Sequence, residues 1–184
     1  MSLKEITKDL HDRAESTKFM RAVFAGNLNP DAWIDFTYQK TLFYGAIEGA
    51  AGACRLLDDL PDIRRAFYLW DDFLKMYPKD RTRPEYNQVT KDYYNYILSI
   101  SKDPDRVLAH MYTWHMGDLY GGQMIKRVIP GSHTALEFEN KELLIQNLRA
   151  KLNDDTMGQE ARCAFEWSIR IIEQYDNTAV GTSA

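Results

Sequence analysis

The chain has 184 residues, 45% of them hydrophobic and 12% aromatic, enough apolar mass for one domain with a full core. Its formal net charge of −4 argues against a general nucleic-acid binder. The charged start, Met1 to Glu5, lacks the apolar stretch of a secretory signal, and no run of about 18 apolar residues offers a membrane span. Cys54 and Cys163 lie far apart, outside any CxxC pattern, and read as free thiols suited to a reducing compartment. The expectation is a soluble, cytoplasmic protein with one domain over residues 1–176 and a frayed polar tail over 177–184.

In chain order, Leu3, Ile6, Leu10 and Ala14 recur at spacings of three and four and predict a first helix. Asn29-Pro30 reads as an N-cap followed by proline at the first helical position, ahead of Trp33, Phe36, Phe43 and Ile47. Leu60-Pro61 and Pro84 are read as the openings of two further helices. Asp103-Pro104 repeats the cap-plus-proline signal before a long helix to about Val128, closed by Pro130-Gly131. Ala135 to Leu152 reads as helical, and Thr156 with Gln159 as the capping box of a last helix to about Tyr175. No run alternates with period two, so the fold class is all-α, seven or eight helices in a bundle.

The oddest segment lies inside the long helix, Trp114 to Met124, where Gly117, Gly121 and Gly122 each cost roughly 1 kcal/mol against alanine. Gly117 and Gly121 are four apart and share a face. Without Cβ atoms that face admits a flat ligand, or else another helix packed closely, and it permits a kink. His11 is the second feature. Glu15, one turn on, could accept from Nδ1–H and leave Nε2 for a metal; the plain alternative is a half-buried histidine beside a surface carboxylate. Lys4 and Lys8 fall on the same side and could hold carboxylates of a ligand, or simply form a solvated face. The four histidines form no HxxxH, HExxH or Glu-x-x-His pair, so one axial histidine on a porphyrin iron is the simplest metal chemistry left.

Leu3 to His11, then Ala14-Glu15 and Phe19-Met20, resembles the proximal-helix motif of heme oxygenases. Leu108 to Tyr112, Gly117-Asp118-Leu119 and Gly121-Gly122-Gln123 resemble their distal-helix motif. The resemblance implies heme b, both cofactor and substrate, sandwiched between a proximal helix and a kinked distal helix. It implies His11 as the axial ligand, and Gly117 and Gly121 against the other heme face. Asp118 would order water for proton delivery, with Tyr44 and Tyr93 in the same network. Lys4, Lys8, Tyr112 and Arg149 would surround the propionates, and Phe165 the pocket wall. The implied reaction opens heme to biliverdin IXα, carbon monoxide and ferrous iron, using O₂ and external electrons. A heme carrier or sensor without turnover, and a thiaminase-like or non-heme oxidase on the same fold, are the alternatives.

Trp114, His115, Tyr120, Ile145 and Ser168 depart from the family's usual residues, which bears on the water network and one propionate contact. Residues 1–27 hold five Lys/Arg against four Asp/Glu, and residues 123–151 hold five against three, so positive charge gathers on the segments expected to flank the heme edge. Lys126, Arg127, Arg149 and Lys151 add to Lys4 and Lys8 there. That favours an acidic electron donor, such as ferredoxin, and the expected lack of a C-terminal membrane segment, which animal members of the family carry, points to ferredoxin over a membrane reductase. A bilin reductase would act downstream.

Overall fold

The computed structural model describes residues 1–129 and 131–180. Among these, nine α-helices and one 3-10 turn form without a strand. The sequence's single first helix is two: α1 (Leu3–Ile6) and α2 (Lys8–Glu15). Thr7 separates them with φ −105° and ψ 2°, and its hydroxyl bonds back to the Leu3 carbonyl at 2.7 Å. Thr17 caps α3 (Lys18–Ala25), which ends on Gly26 at φ 69°, where a Cβ would be strained. Asn29 and Pro30 start α4 (Pro30–Ala53) as their order predicts, and Asp103 and Pro104 do the same for α7 (Pro104–Ile125).

Other boundaries were set from a distance. Helix α5 (Ala66–Met76) starts six residues after Leu60. Its first N–H groups, of Arg65 and Ala66, donate to the Glu48 carboxylate on α4, so the cap comes from another helix. Helix α6 (Gln88–Ile100) opens on Asn87 and not at Pro84. The long helix expected from Ala135 becomes a 3-10 turn, Thr134–Leu136, and α8 (Lys141–Lys151). The buried Asp72 carboxylate on α5 binds Ser132 and the backbone N–H groups of Thr134 and Ala135, which holds that stretch as a turn. The last helix, α9 (Asp154–Glu173), is capped by Asn153; Thr156, the expected cap, donates instead to Asp105 of α7.

The tail expectation fails for its first part. Asn29 N–H donates to the Ala179 carbonyl at 2.7 Å, Leu28 bridges Val180, and Ala179 is buried, because the α3–α4 turn offers an unpaired backbone edge. Residues 181–184 lie outside the described residues.

Helix α4 is central, packed on α5, α6 and α7, while α9 packs on α7, α2, α1, α3 and α6. One continuous core joins Phe43, Ile47, Met111, Leu119 and Ala161. A smaller apolar cluster stands apart from it: Leu10, Phe165 and Ile169, flanked by Ala14 and Tyr112. No described helix is long and apolar enough to cross a membrane.

Glu48 serves three donors at once: two N–H groups of the α5 start and Nε2 of His115 at 3.1 Å. Glu48→Ala leaves them buried and unpaired, a loss of about 3 kcal/mol. The expected result is a melting temperature lower by roughly 6–12 °C in circular dichroism; a change under about 2 °C removes Glu48 from this role.

Candidate functional site

The second apolar cluster joins α2 and α7 to α9 and marks the candidate cleft, with α9 as its floor. Phe165 on α9 meets His11 of α2 edge-on, ring centroids 5.9 Å apart, and Tyr112 of α7 at 6.5 Å. Helices α2 and α7 thus both rest on α9 and rise on either side of it.

On the α2 side, the His11 side chain is 54% exposed, the condition for an available imidazole. Its Nε2 faces Glu15 at 3.8 Å, too far for a hydrogen bond. The expected Nδ1–H contact to Glu15 is therefore absent, since both side chains are exposed and nothing packs to hold them together. Lys4 is exposed, and Lys8 pairs with Asp12 one turn on.

On the α7 side the three glycines part company. A Cβ on Gly122 would come within 3.1 Å of the Leu136 side chain, so close packing explains that glycine. A Cβ on Gly117 or on Gly121 would meet nothing within 4 Å. Those two present bare backbone to open space, and helical structure continues through them.

Behind this face, Asp118 is 9% exposed and held from α4. Tyr44 donates to its Oδ2 at 2.6 Å, and the Lys40 ammonium sits 3.4 Å from its Oδ1. Burial first, then the Asp118 charge, pushes the Tyr44 phenol well above its ordinary range, so it stays a donor. Lys40 escaped the sequence reading. Its signal is the i, i+4, i+8 stripe Lys40, Tyr44, Glu48 on a helix that is otherwise apolar on that side.

Tyr93, expected in the same network, is not bonded to Asp118. Trp114 Nε1 donates to its oxygen at 2.9 Å, and Tyr93 itself meets His110 Nδ1 at 2.7 Å. The indole that occupies the departure at 114 draws Tyr93 away. Burial depresses the His110 pKa, and its Nε2 meets Glu160 at 2.9 Å. Burial raises the Glu160 carboxyl, but donors on His110, Tyr96 and Arg106 outweigh it and hold it at about 2.

Of the remaining departures, Ile145 is partly buried against the main core. His115 is buried against Glu48, its Nδ1 without a partner among the described residues, so it offers nothing to the cleft. Ser168 turns to the Phe165 carbonyl at 2.8 Å. Arg149 lies over the Tyr120 ring at 5.3 Å, and its charge reaches the half-buried Tyr112, whose phenol burial raises. Lys126 and Lys151 are taken by Glu137 and Asp59, leaving less free positive charge than the sequence implied. Among the described residues no three His, Cys, Asp or Glu side chains gather as a metal cluster.

The class this defines is an all-α bundle whose two walls, one bearing a lone imidazole and one bare backbone, flank an apolar floor. The heme oxygenase family profile matches residues 1–174. The chain belongs to the heme oxygenase family. Rabbit (Oryctolagus cuniculus) heme oxygenase 2 is 27% identical over 95% of this chain, which spans 65% of that relative's length. Heme oxygenase of the alga Rhodella violacea is 24% identical, with 98% and 88% covered. Among solved structures, heme oxygenase-1 of the cyanobacterium Synechocystis sp. PCC6803, in complex with heme, superposes with a TM-score of 0.80 at 20% identity, covering 96% of this chain and 91% of that one. Heme oxygenase of Leptospira interrogans gives 0.79 at 24%, with 95% and 100% covered.

Glu160, with its pKa lowered from 4.5, contributes stability that is complete above about pH 4.5 and lost as pH falls toward 2. Glu160→Gln is expected to be less stable than the parent at pH 7, with the gap narrowing below about pH 4.5 and closing near pH 2 in urea unfolding; a constant gap across that range overturns the assignment.

Proposed function

We propose that this chain is a heme oxygenase that binds heme b between α2 and α7. It would cleave the ring to biliverdin IXα, carbon monoxide and ferrous iron with O₂ and electrons from an acidic donor, ferredoxin. The observation that carries the reading is the open space over Gly117 and Gly121, beside a glycine whose space is filled. Gly45 and Gly49 on α4 are equally open, but Gly117 and Gly121 flank the buried Asp118 carboxylate on the helix that meets Phe165, where bare backbone admits a flat partner.

Heme supplies the iron that activates O₂ and the meso carbon that is oxidised. The chain's residues do the rest. His11 offers an imidazole to the iron, either nitrogen being presented by rotation of the ring. Phe165, Leu10 and Tyr112 exclude water from one edge. Lys4, Lys8, Tyr112 and Arg149 would meet the propionates, which fixes the meso carbon presented. Gly117 and Gly121 leave no side chain to crowd the distal face. Asp118, gripped by two donors, keeps lone pairs free to accept from ordered water and pass a proton. Tyr93, tied to Trp114 and His110, would only support the helix that carries Asp118. Glu15 steers the imidazole once the ring is ordered.

The unbonded thiols Cys54 and Cys163 support a soluble protein of a reducing cytoplasm. The bilin would pass to a reductase. The fixed Asp118 carboxylate favours turnover over a carrier, which has no use for a proton relay. Hemin, ascorbate and O₂ separate the two: the Soret band is expected to fade as a bilin spectrum grows, and a persistent Soret band makes the chain a carrier.

Two substitutions test the walls. His11→Ala is expected to cut bilin yield at least about tenfold and to recover with added imidazole; full yield without imidazole removes His11 from the iron. Gly121→Leu is expected to weaken hemin binding more than about tenfold, or 1.4 kcal/mol. The same change leaves the apoprotein as stable or up to about 0.8 kcal/mol more so, because the helix gains propensity. Unaltered hemin affinity in that variant sinks the sandwich.

A further inference from the structure

We propose that Lys40 is a positioning residue of the distal side: its ammonium, sealed behind Asp118, holds that carboxylate in one orientation beside Gly117. The inference rests on the reading of the cleft given above.

Lys40 is 5% exposed, in the middle of α4, where a lysine is unexpected unless paired. Its one acceptor among the described residues is Asp118 Oδ1, at 3.4 Å. The rest of its surroundings is aromatic: the ammonium lies 4.9 Å from the centroid of the Tyr44 ring and 5.7 Å from that of Phe36. Lys40 and Tyr44 are one turn apart and grip different oxygens of the same carboxylate. Two donors on two oxygens remove the freedom of the carboxylate to rotate. Each oxygen keeps a second lone pair for a donor in the cleft.

The two donors differ in kind. Tyr44 is neutral, so it orients Asp118 without balancing its charge. Lys40 supplies the balancing charge, and in a site this dry the pair is strongly coupled. The cation lies behind the carboxylate, on the α4 side, so its charge is screened by Asp118. Removal of Asp118 alone would leave Lys40 as a lone buried cation.

The whole chain is tested as Lys40→Met, Lys40→Arg, Asp118→Asn and the Lys40→Met/Asp118→Asn double variant. Hemin titration reads binding alone, and the two Lys40 single variants are expected within about threefold of the parent, because Lys40 does not line the cleft. Bilin yield per bound hemin is expected to fall about tenfold in Lys40→Met and to recover to at least half in Lys40→Arg. The double variant should lose no more than Asp118→Asn alone. Parent yield in Lys40→Met, or losses that multiply in the double variant, overturns the proposal. A merely structural lysine lowers the melting temperature and leaves yield per bound hemin intact, which also overturns it. Thermal unfolding of the apoproteins gives a readout independent of turnover: the two single losses must be non-additive, and additive losses refute the pair. Where Lys40→Met does not fold, the double variant, neutral on both sides, is expected to fold, and its failure too refutes the pairing. Should the parent bind no hemin, the functional reading fails, while the unfolding cycle still decides the pair.

Discussion

The interface between α4 and α7 is fastened by two buried carboxylates, one contributed by each helix. Asp118 of α7 receives Lys40 and Tyr44, and Glu48 of α4 receives His115 together with the first N–H groups of α5. The two ties lie side by side, since the Tyr44 and His115 rings are 4.9 Å apart. Apolar packing alone would permit the helices to slide, because one methyl is much like another. Directional bonds in a dry interface permit one register. That register decides which way the glycines of α7 point: Gly122 toward Leu136, Gly117 and Gly121 into the open. The cleft is in this sense a consequence of what happens on the opposite side of the helix.

The parts of this arrangement that are local were legible in the sequence. Asn29-Pro30 and Asp103-Pro104 carry their own caps, so both long helices start where they are read to start. Boundaries governed by distant groups were not. The α5 start depends on Glu48, and the turn after α7 on Asp72, neither of which is near its target in the chain. Thr7 breaks the first helix through a side-chain bond that periodicity does not see. The site divides the same way. His11, the glycine face and Asp118 follow from motif and spacing. The separation of Gly122 from Gly121, the diversion of Tyr93 to His110 and Trp114, and the presence of Lys40 are all tertiary facts.

The two walls differ in stiffness. Helix α7 has 22 residues, most of them buried, and is tied across to α4 and α9. Helix α2 has eight, with Leu10 as its one buried residue, a length that is not stable as a helix alone. It is held to α9 by exposed ion pairs, Arg162 with Asp9 and Arg13 with Glu173. Burial of an ammonium or guanidinium is slight there, so these pairs contribute little in salt. Thr7 separates α2 from α1, whose Leu3 is anchored in the core.

Under the proposed function, such an asymmetry would suit a ligand that is also consumed. A rigid distal wall keeps bare backbone and the Asp118 carboxylate at fixed positions through every step, where small errors in proton placement are costly. A proximal wall held mainly at its surface would make room for a substrate that changes shape. The same α9 that floors the cleft also carries Asp176 just beyond its end, which accepts from the Phe19 N–H, and leads to the strand-like seating of Ala179 on Asn29. Helix α2 is thereby bracketed by two anchored neighbours, α1 through Leu3 in the core and α3 through the Phe19 N–H on Asp176, which leaves its register against α9 to the pairs it makes itself.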